Sequence, residues 1–294
     1  MYQEIFAISG QKSDIKRVMT SPNIITVDWE DWFHICEVDH ILPRHKWDSY
    51  DSILPEATEK LLDFFKYHKI TATFFILGYA AKKRPELVRA IAGAGHEIAY
   101  HSFEHKLIYE QEPDDFRRDI VHGKQMLAEI SGQEVAGFRA PQWSLNKRCP
   151  WGLEILAEVG YLYDSSHAPL PVIGDPAYPE IPHEINTIGG DVQEIPPLVL
   201  NICGLKVPAG GGWGLKTWPL AIIAGKMNRL NAAGFPATFF VHPVDFVDYT
   251  PPVSLPLLKR AVVGYGLRNV ADTLEKLLQQ TTFISIRQYL QNMP

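Results

Sequence analysis

What most limits the fold of this chain is a repeated alternation of strand-like and helix-like segments. Short apolar runs rich in β-branched or aromatic residues begin at Ile24, Thr71, Glu97, Val135, Tyr161, Val192, Pro236 and Phe283. Between them, apolar residues recur at helical spacing over 55–68, 85–93, 113–130, 149–159, 217–233 and 256–279. Pro55, Pro85 and Pro113 stand at helix starts, and Gly93, Gly95 and Gly132 at helix stops. Strands joined through helices run parallel with right-handed crossovers. Repeated this often, the pattern predicts an α/β fold, a TIM-like barrel in a single domain. Chemistry in such a barrel gathers at the C-terminal ends of the strands. Residues 165–192 break the rhythm with many Pro and Gly and read as a long loop over that end.

Two strand ends carry unusual side chains. The first, Ile24-Ile25-Thr26-Val27-Asp28-Trp29-Glu30-Asp31, finishes in three acids within four positions. Strand side chains alternate, so Asp28 and Glu30 face one way and Asp31 the other. Two carboxylates on one side repel unless a cation sits between them. A solvated strand end or an acidic helix cap would account for the same residues. The second, His101-Ser102-Phe103-Glu104-His105, follows the run Glu97-Ile98-Ala99-Tyr100. Histidines at i and i+4 share a helical face and can grip one metal ion. Two His and one carboxylate with open positions is a catalytic metal set. Each stretch is weak alone; together at two strand ends they are much sharper.

The 294 residues are enough for one large barrel, and the net charge of −6 with no basic stripe argues against nucleic acid as the main partner. Cys36, Cys149 and Cys203 are odd in number and widely spaced, so neither a disulfide framework nor a thiolate zinc site is expected. No apolar run reaches the length of a membrane span, and no secretory signal is recognisable at the N-terminus, so the expected location is cytoplasmic.

The order of motifs resembles that of the NodB-homology polysaccharide deacetylases, a carbohydrate esterase family with a distorted (β/α)7 barrel. The resemblance runs from about residue 23 to 290. It is carried by Thr26-Val27-Asp28-Trp29-Glu30, by His101 to His105, by Arg139-Ala140-Pro141 and by Phe239-Phe240-Val241-His242-Pro243. The Asp-x-Glu-Asp first motif, the run Gly210-Gly211-Gly212 and a helical C-terminal extension look most like the branch found in exopolysaccharide gene clusters. Residues 1–22 then form an N-terminal extension and 23–294 the catalytic domain.

The resemblance implies metal-dependent removal of N-acetyl groups from a poly- or oligosaccharide. It places a divalent metal, zinc first and cobalt or nickel as alternatives, on Glu30, His101 and His105. It makes Asp28 the general base, Arg139 the cation that orients it, and His242 the general acid. The backbone N–H of Gln142 would donate to the oxyanion. The first motif departs from the family's adjacent Asp-Asp, which leaves Glu30 and Asp31 as rival ligands, with strand alternation favouring Glu30. The family's Asp-x-x-Trp, which orients the acid, has no clean match; Asp164 lies near its place without the Trp.

Other features stay open. The 32–54 loop holds Trp32, His34, His40, His45 and Trp47, which line a sugar groove or cap the barrel as satellite core. Trp143 and Trp213 stack on sugars or pack inside. The glycine run lets a substrate approach or forms a tight turn. His96, His122 and His183 read as structural, and His34 and His167 receive no role. The rival functions are hydrolysis of a small cyclic amide or ureide or of peptidoglycan, and a non-catalytic glycan-binding barrel. The acetylated glycan is the expected partner; oligomeric state is not legible.

Overall fold

A computed structural model describes residues 22–256 and 270–293. The expected 1–22 extension, apart from its last residue, lies outside the described residues, as does most of the front of the 256–279 helix. The core is a sheet whose first strand, β1 (Asn23–Trp29), is buried along its whole length. A strand covered on both faces needs the near-continuous apolar run found there. On one side of β1 stand β2 (Thr73–Ile76), β3 (Glu97–Tyr100), β4 (Gly137–Phe138) and β5 (Tyr163–Asp164), all parallel. Beyond β5 come an antiparallel edge strand β6 (His183–Thr187) and, between the two, β7 (Gly190–Glu194), parallel to β5. On the other side of β1 lies β10 (Thr238–Val241), with Val27 between Phe74 and Val241. The path β10-β1-β2-β3-β4-β5-β7 thus holds seven parallel strands. β11 (Phe283–Ile284) pairs with the start of β1.

The sheet curls, and irregular backbone spans the gap from β7 to β10. Ile195 donates to the Asp164 carbonyl at 2.9 Å, while Leu198 donates to Thr238 at 2.9 Å and Phe240 to Gly210 at 2.8 Å. The result is the expected distorted (β/α)7 barrel. A small antiparallel ribbon, β8 (Val199–Ile202) and β9 (Leu205–Pro208), stands outside it.

Helices α1 (Leu54–His68), α2 (Gly78–Lys83), α3 (Pro85–Gly93), α4 (Pro113–Ser131) and α5 (Gly152–Glu158) cover the sheet. In α4, Asp114 and Asp115 favour the positive N-terminus, and Gly132 closes the helix at φ 69°. Its buried Phe116, Ile120 and Leu127 face the barrel. Gly123 lies so close to Tyr100 that a Cβ would fall 1.9 Å from that ring, so the helix rests directly on β3.

Several boundaries differ from the sequence expectation. Residues 165–192 are not one loop, because β6 and β7 form a hairpin there. Its outward face is polar, which masks alternation, although Gly189-Gly190 marks the turn. The expected strand 192–200 breaks at Pro196-Pro197, which cannot donate to a ladder. The expected helix 217–233 is α7 (Leu220–Ala232), which starts after Pro219, and a short helix not expected from the sequence, α6 (Gly212–Thr217), precedes it. α8 spans Val270–Leu278. The final strand ends at Ile284, where Ser285 and Gln288 make a capping box that starts α9 (Ile286–Gln291).

Candidate metal and catalytic site

Four strand ends bring the site together: β1 supplies Asp28 and the following Glu30, β3 leads to His101, β4 to Arg139, and β10 to His242. Of the two acids after Trp29, Glu30 meets the histidines. Asp31 turns away and accepts the Ile53 and Trp32 N–H groups, each at 3.1 Å, which ties the loop to the front of α1.

The histidine segment is not helical, contrary to the i,i+4 expectation. Ser102 and His105 have φ of 61° and 53°, so the chain doubles back after β3. That turn aims both rings at one point. His105 Nε2 lies 3.3 Å from His101 Nε2 and 2.8 Å from Glu30 Oε2. The donor atoms of Glu30, His101 and His105 all fall within 4.8 Å of one another. Glu30 Oε2 is buried and, despite that 2.8 Å approach, has no hydrogen bond of good geometry. An orphaned carboxylate oxygen facing two imidazole nitrogens is what a divalent cation site requires, so the residues present fit such an ion. His101 Nδ1 meets the Arg139 carbonyl at 2.7 Å, which fixes that ring with Nε2 free to ligate. Burial pushes the His101 pKa down to about 4, keeping the ring neutral.

Asp28 lies beside this cluster and is buried. Arg139 donates to it at 2.6 Å and to Thr26 Oγ1 at 2.9 Å. The other guanidinium nitrogens bind the Ser165 carbonyl at 3.1 Å and its hydroxyl at 2.8 Å, and the group stacks 4.1 Å over the Phe75 ring. Burial alone would raise the Asp28 pKa, but Arg139, His101 and His242 outweigh it and hold the carboxyl below its ordinary value.

His242 faces the cluster from the opposite side, with Nε2 4.0 Å from Asp28 and 3.8 Å from Glu30. Its Nδ1 looks toward Asp245 at 3.7 Å. Asp245 also accepts the His242 backbone N–H at 2.9 Å and the half-buried Lys216 ammonium at 2.8 Å. Desolvation pulls the His242 pKa down, and Asp245, Asp28 and Glu30 more than offset it, leaving it raised. The side chain is 31% exposed, so water screens part of these fields. Burial raises the Asp245 pKa, yet His242 and Lys216 carry it down to about 2.

Asp164, which stood near the expected place of the His242 partner, is elsewhere. It accepts the Ser166 hydroxyl at 2.6 Å and pairs with Glu194. Ser166 in turn accepts the Ala140 N–H at 2.8 Å and so braces the turn that carries Gln142. Gln142 and Trp143 adopt left-handed φ of 51° and 50° directly after Pro141. Thr26, Ser165, Ser166, Lys216 and Asp245 were all missed by sequence reasoning. Only Asp245 left a signal, three residues past His242 with Pro243 between, a pattern that caps a short helical turn.

Most of the open features resolve as packing, while Trp143 and Trp213 stay half-buried and His40 and His45 are exposed. Trp32, Phe33 and Trp47 are nearly buried and form a satellite core instead of a groove. Trp143 sits edge-on to Phe240 at 4.8 Å, and Trp213 edge-on to Trp218 at 6.0 Å. The glycine run is close-packed on β10: a Cβ at Gly211 would lie 1.9 Å from the Phe240 ring. His96 accepts the Ala72 N–H at 3.1 Å, His34 accepts that of Asp31 at 2.9 Å, and His167 stacks on Tyr178 at 4.0 Å.

Comparison with known proteins gives two adjoining family matches. Residues 45–163 match the family described as polysaccharide deacetylase, and residues 165–291 match a domain of unknown function. The first holds His101, His105, Arg139 and Gln142, the second Lys216, His242 and Asp245; Asp28 and Glu30 precede both. A peptidoglycan-N-acetylglucosamine deacetylase of Bacillus cereus is 34% identical over 100 residues, 34% of this chain and 36% of that protein. A chitooligosaccharide deacetylase of Sinorhizobium fredii is 32% identical over 93 residues, 31% of this chain and 43% of its own length. The chain thus spans less than half the length of these curated relatives. A crystal structure described as a candidate polysaccharide deacetylase of Mycobacterium smegmatis shares the fold, with a TM-score of 0.61 at 20% identity, covering 91% of this chain and 89% of that one.

Proposed function

We propose that this chain, whose residues 45–163 match the polysaccharide deacetylase family, is a metal-dependent hydrolase removing N-acetyl groups from a glycan that contains N-acetylhexosamine. The observation that carries the reading is the Glu30, His101 and His105 cluster, flanked by Asp28 on Arg139 and by His242 on Asp245. Peptidoglycan and chitooligosaccharides are the substrates in the names of the relatives, and exopolysaccharide or cell-wall glycan is the class assigned here.

Glu30, His101 and His105 would hold the ion. Zinc suits two imidazoles and a carboxylate best, and cobalt or nickel would also be accepted. When bound, the ion supplies Lewis acidity to the acetyl carbonyl and to water. Asp28, ionised and aimed by Arg139, takes the proton of the attacking water. The water oxygen bonds to the acetyl carbon while the backbone N–H of Gln142 donates to the developing oxyanion. His242, protonated on the side facing Asp28, gives its proton to the nitrogen as the C–N bond breaks. Acetate and a free amino sugar leave. Asp245 keeps the His242 ring charged and oriented, and Lys216 keeps Asp245 ionised.

Residues 23–294 are assigned as one catalytic unit, because the site draws on β1 and on both matched segments. No helix among the described residues is long and apolar enough to cross a membrane. Cytoplasmic work is proposed, and cell fractionation tests it.

The reaction is tested by acetate release from chitooligosaccharides and from an acetylated exopolysaccharide, using chelator-stripped protein restored with zinc, cobalt or nickel. Metal-dependent release is expected. Tight metal binding without release from any glycan would overturn the reading in favour of a small-molecule amidohydrolase or a non-catalytic glycan binder.

A further inference from the structure

The two proposed histidine ligands are held from behind by different groups. His101 is braced by a backbone carbonyl, that of Arg139 at 2.7 Å. His105 is braced by a sulfur. Cys36 Sγ lies 3.3 Å from His105 Nδ1 and 3.5 Å from the His105 carbonyl oxygen, and the residue is buried. Nδ1 is the ring nitrogen turned away from Glu30 and His101, so the sulfur stands outside the donor cluster.

We propose that Cys36 is the positioning residue for His105, fixing the face of the ring that holds the cation. This rests on the metal reading given above. With Nε2 committed to a cation, the imidazole proton is on Nδ1 and is donated to sulfur. The thiol hydrogen remains free to donate to the His105 carbonyl. One thiol therefore clamps both the ring and the backbone of a single residue. That residue sits at φ 53°, a left-handed conformation that is uncommon for a non-glycine residue. Loss of an outer partner of this kind typically weakens metal binding about 10–100-fold. The clamp also ties the 32–54 loop, otherwise a packing element, to the metal cluster.

Zinc affinity is to be measured by chelator competition on wild type, C36A, C36V and C36S, with cobalt absorption spectra and apo-protein melting alongside. C36V keeps the buried volume and removes both hydrogen bonds, so it stands in if C36A does not fold. The expected result is about 10–100-fold weaker zinc binding and an altered cobalt d–d spectrum in C36A and C36V. C36S, whose hydroxyl can play both parts, should recover most of the affinity. Wild-type affinity and an unchanged cobalt spectrum in C36V would overturn the proposal. So would a sulfur-to-cobalt charge-transfer band in wild type, which would make Cys36 a ligand itself. Failure of the wild type to bind either metal would instead remove the cation site, and this inference with it.

Discussion

Replacing Arg139 with methionine isolates the cation that holds Asp28. The pair is buried, with side chains 1% and 6% exposed and 2.6 Å apart. Methionine keeps apolar volume over Phe75, so what goes is the charge and its hydrogen bonds to Asp28, Thr26 and Ser165. Stranding one partner of a buried ion pair costs about 3–5 kcal/mol. At roughly 2 °C per kcal/mol for a domain of this size, Tm should fall by about 6–10 °C. Without Arg139, less opposes the burial that raises the Asp28 pKa, and the carboxylate loses the hydrogen bond that orients it. A catalytic base is worth about 10²–10⁴-fold, and kcat for acetate release should drop in that range. The double variant D28N/R139M removes both charges and should regain much of the lost Tm while staying inactive. Calorimetry and a coupled acetate assay on the three proteins decide the matter. An R139M protein melting within about 1 °C of wild type, or a double variant with no regain, would show that the pair does not hold Asp28 in this way.

Other outcomes follow from the same geometry. D245N should lower kcat roughly 10²-fold with metal content unchanged, since Asp245 touches His242 and Lys216 but none of the metal donors; metal analysis beside kinetics checks this. D31A should cost about 1–2 kcal/mol in denaturant melts by freeing the Ile53 and Trp32 N–H groups, yet leave metal bound, whereas E30A should release it. The buried Asp164 and Glu194 pair titrates high, Asp164 at about 6 because of burial. Raised carboxyl pKa values stabilise the fold below the unfolded value near 4, and that stability is lost as pH rises through about 6. Tm should therefore fall across that window, and E194Q should flatten the dependence.

Much of the barrel was legible because its strands are buried on both faces, where β1 and Thr238-Phe239-Phe240-Val241 read as unbroken apolar runs. The β6–β7 hairpin was not, since its exposed face carries Glu184, Asn186 and Asp191 and resembles a loop in composition. In the site, pairing of His101 with His105 could be seen in their spacing, but their union comes from left-handed turns at Ser102 and His105, which no residue type there announces. Trp32 and Trp47 look alike as core or as sugar platform until burial is known. Lys216 and Cys36 reach the site only through long-range packing, 29 residues before Asp245 and 69 before His105, and nothing local marks them.

The central claim is that one cluster holds a metal while separate residues move the protons. The most direct test is metal content and acetate release measured together on wild type, E30A and D28N, each restored with zinc. Wild type should show bound metal and turnover, E30A neither, and D28N bound metal without turnover. Near-normal turnover in D28N, or full metal content and activity in E30A, would contradict it.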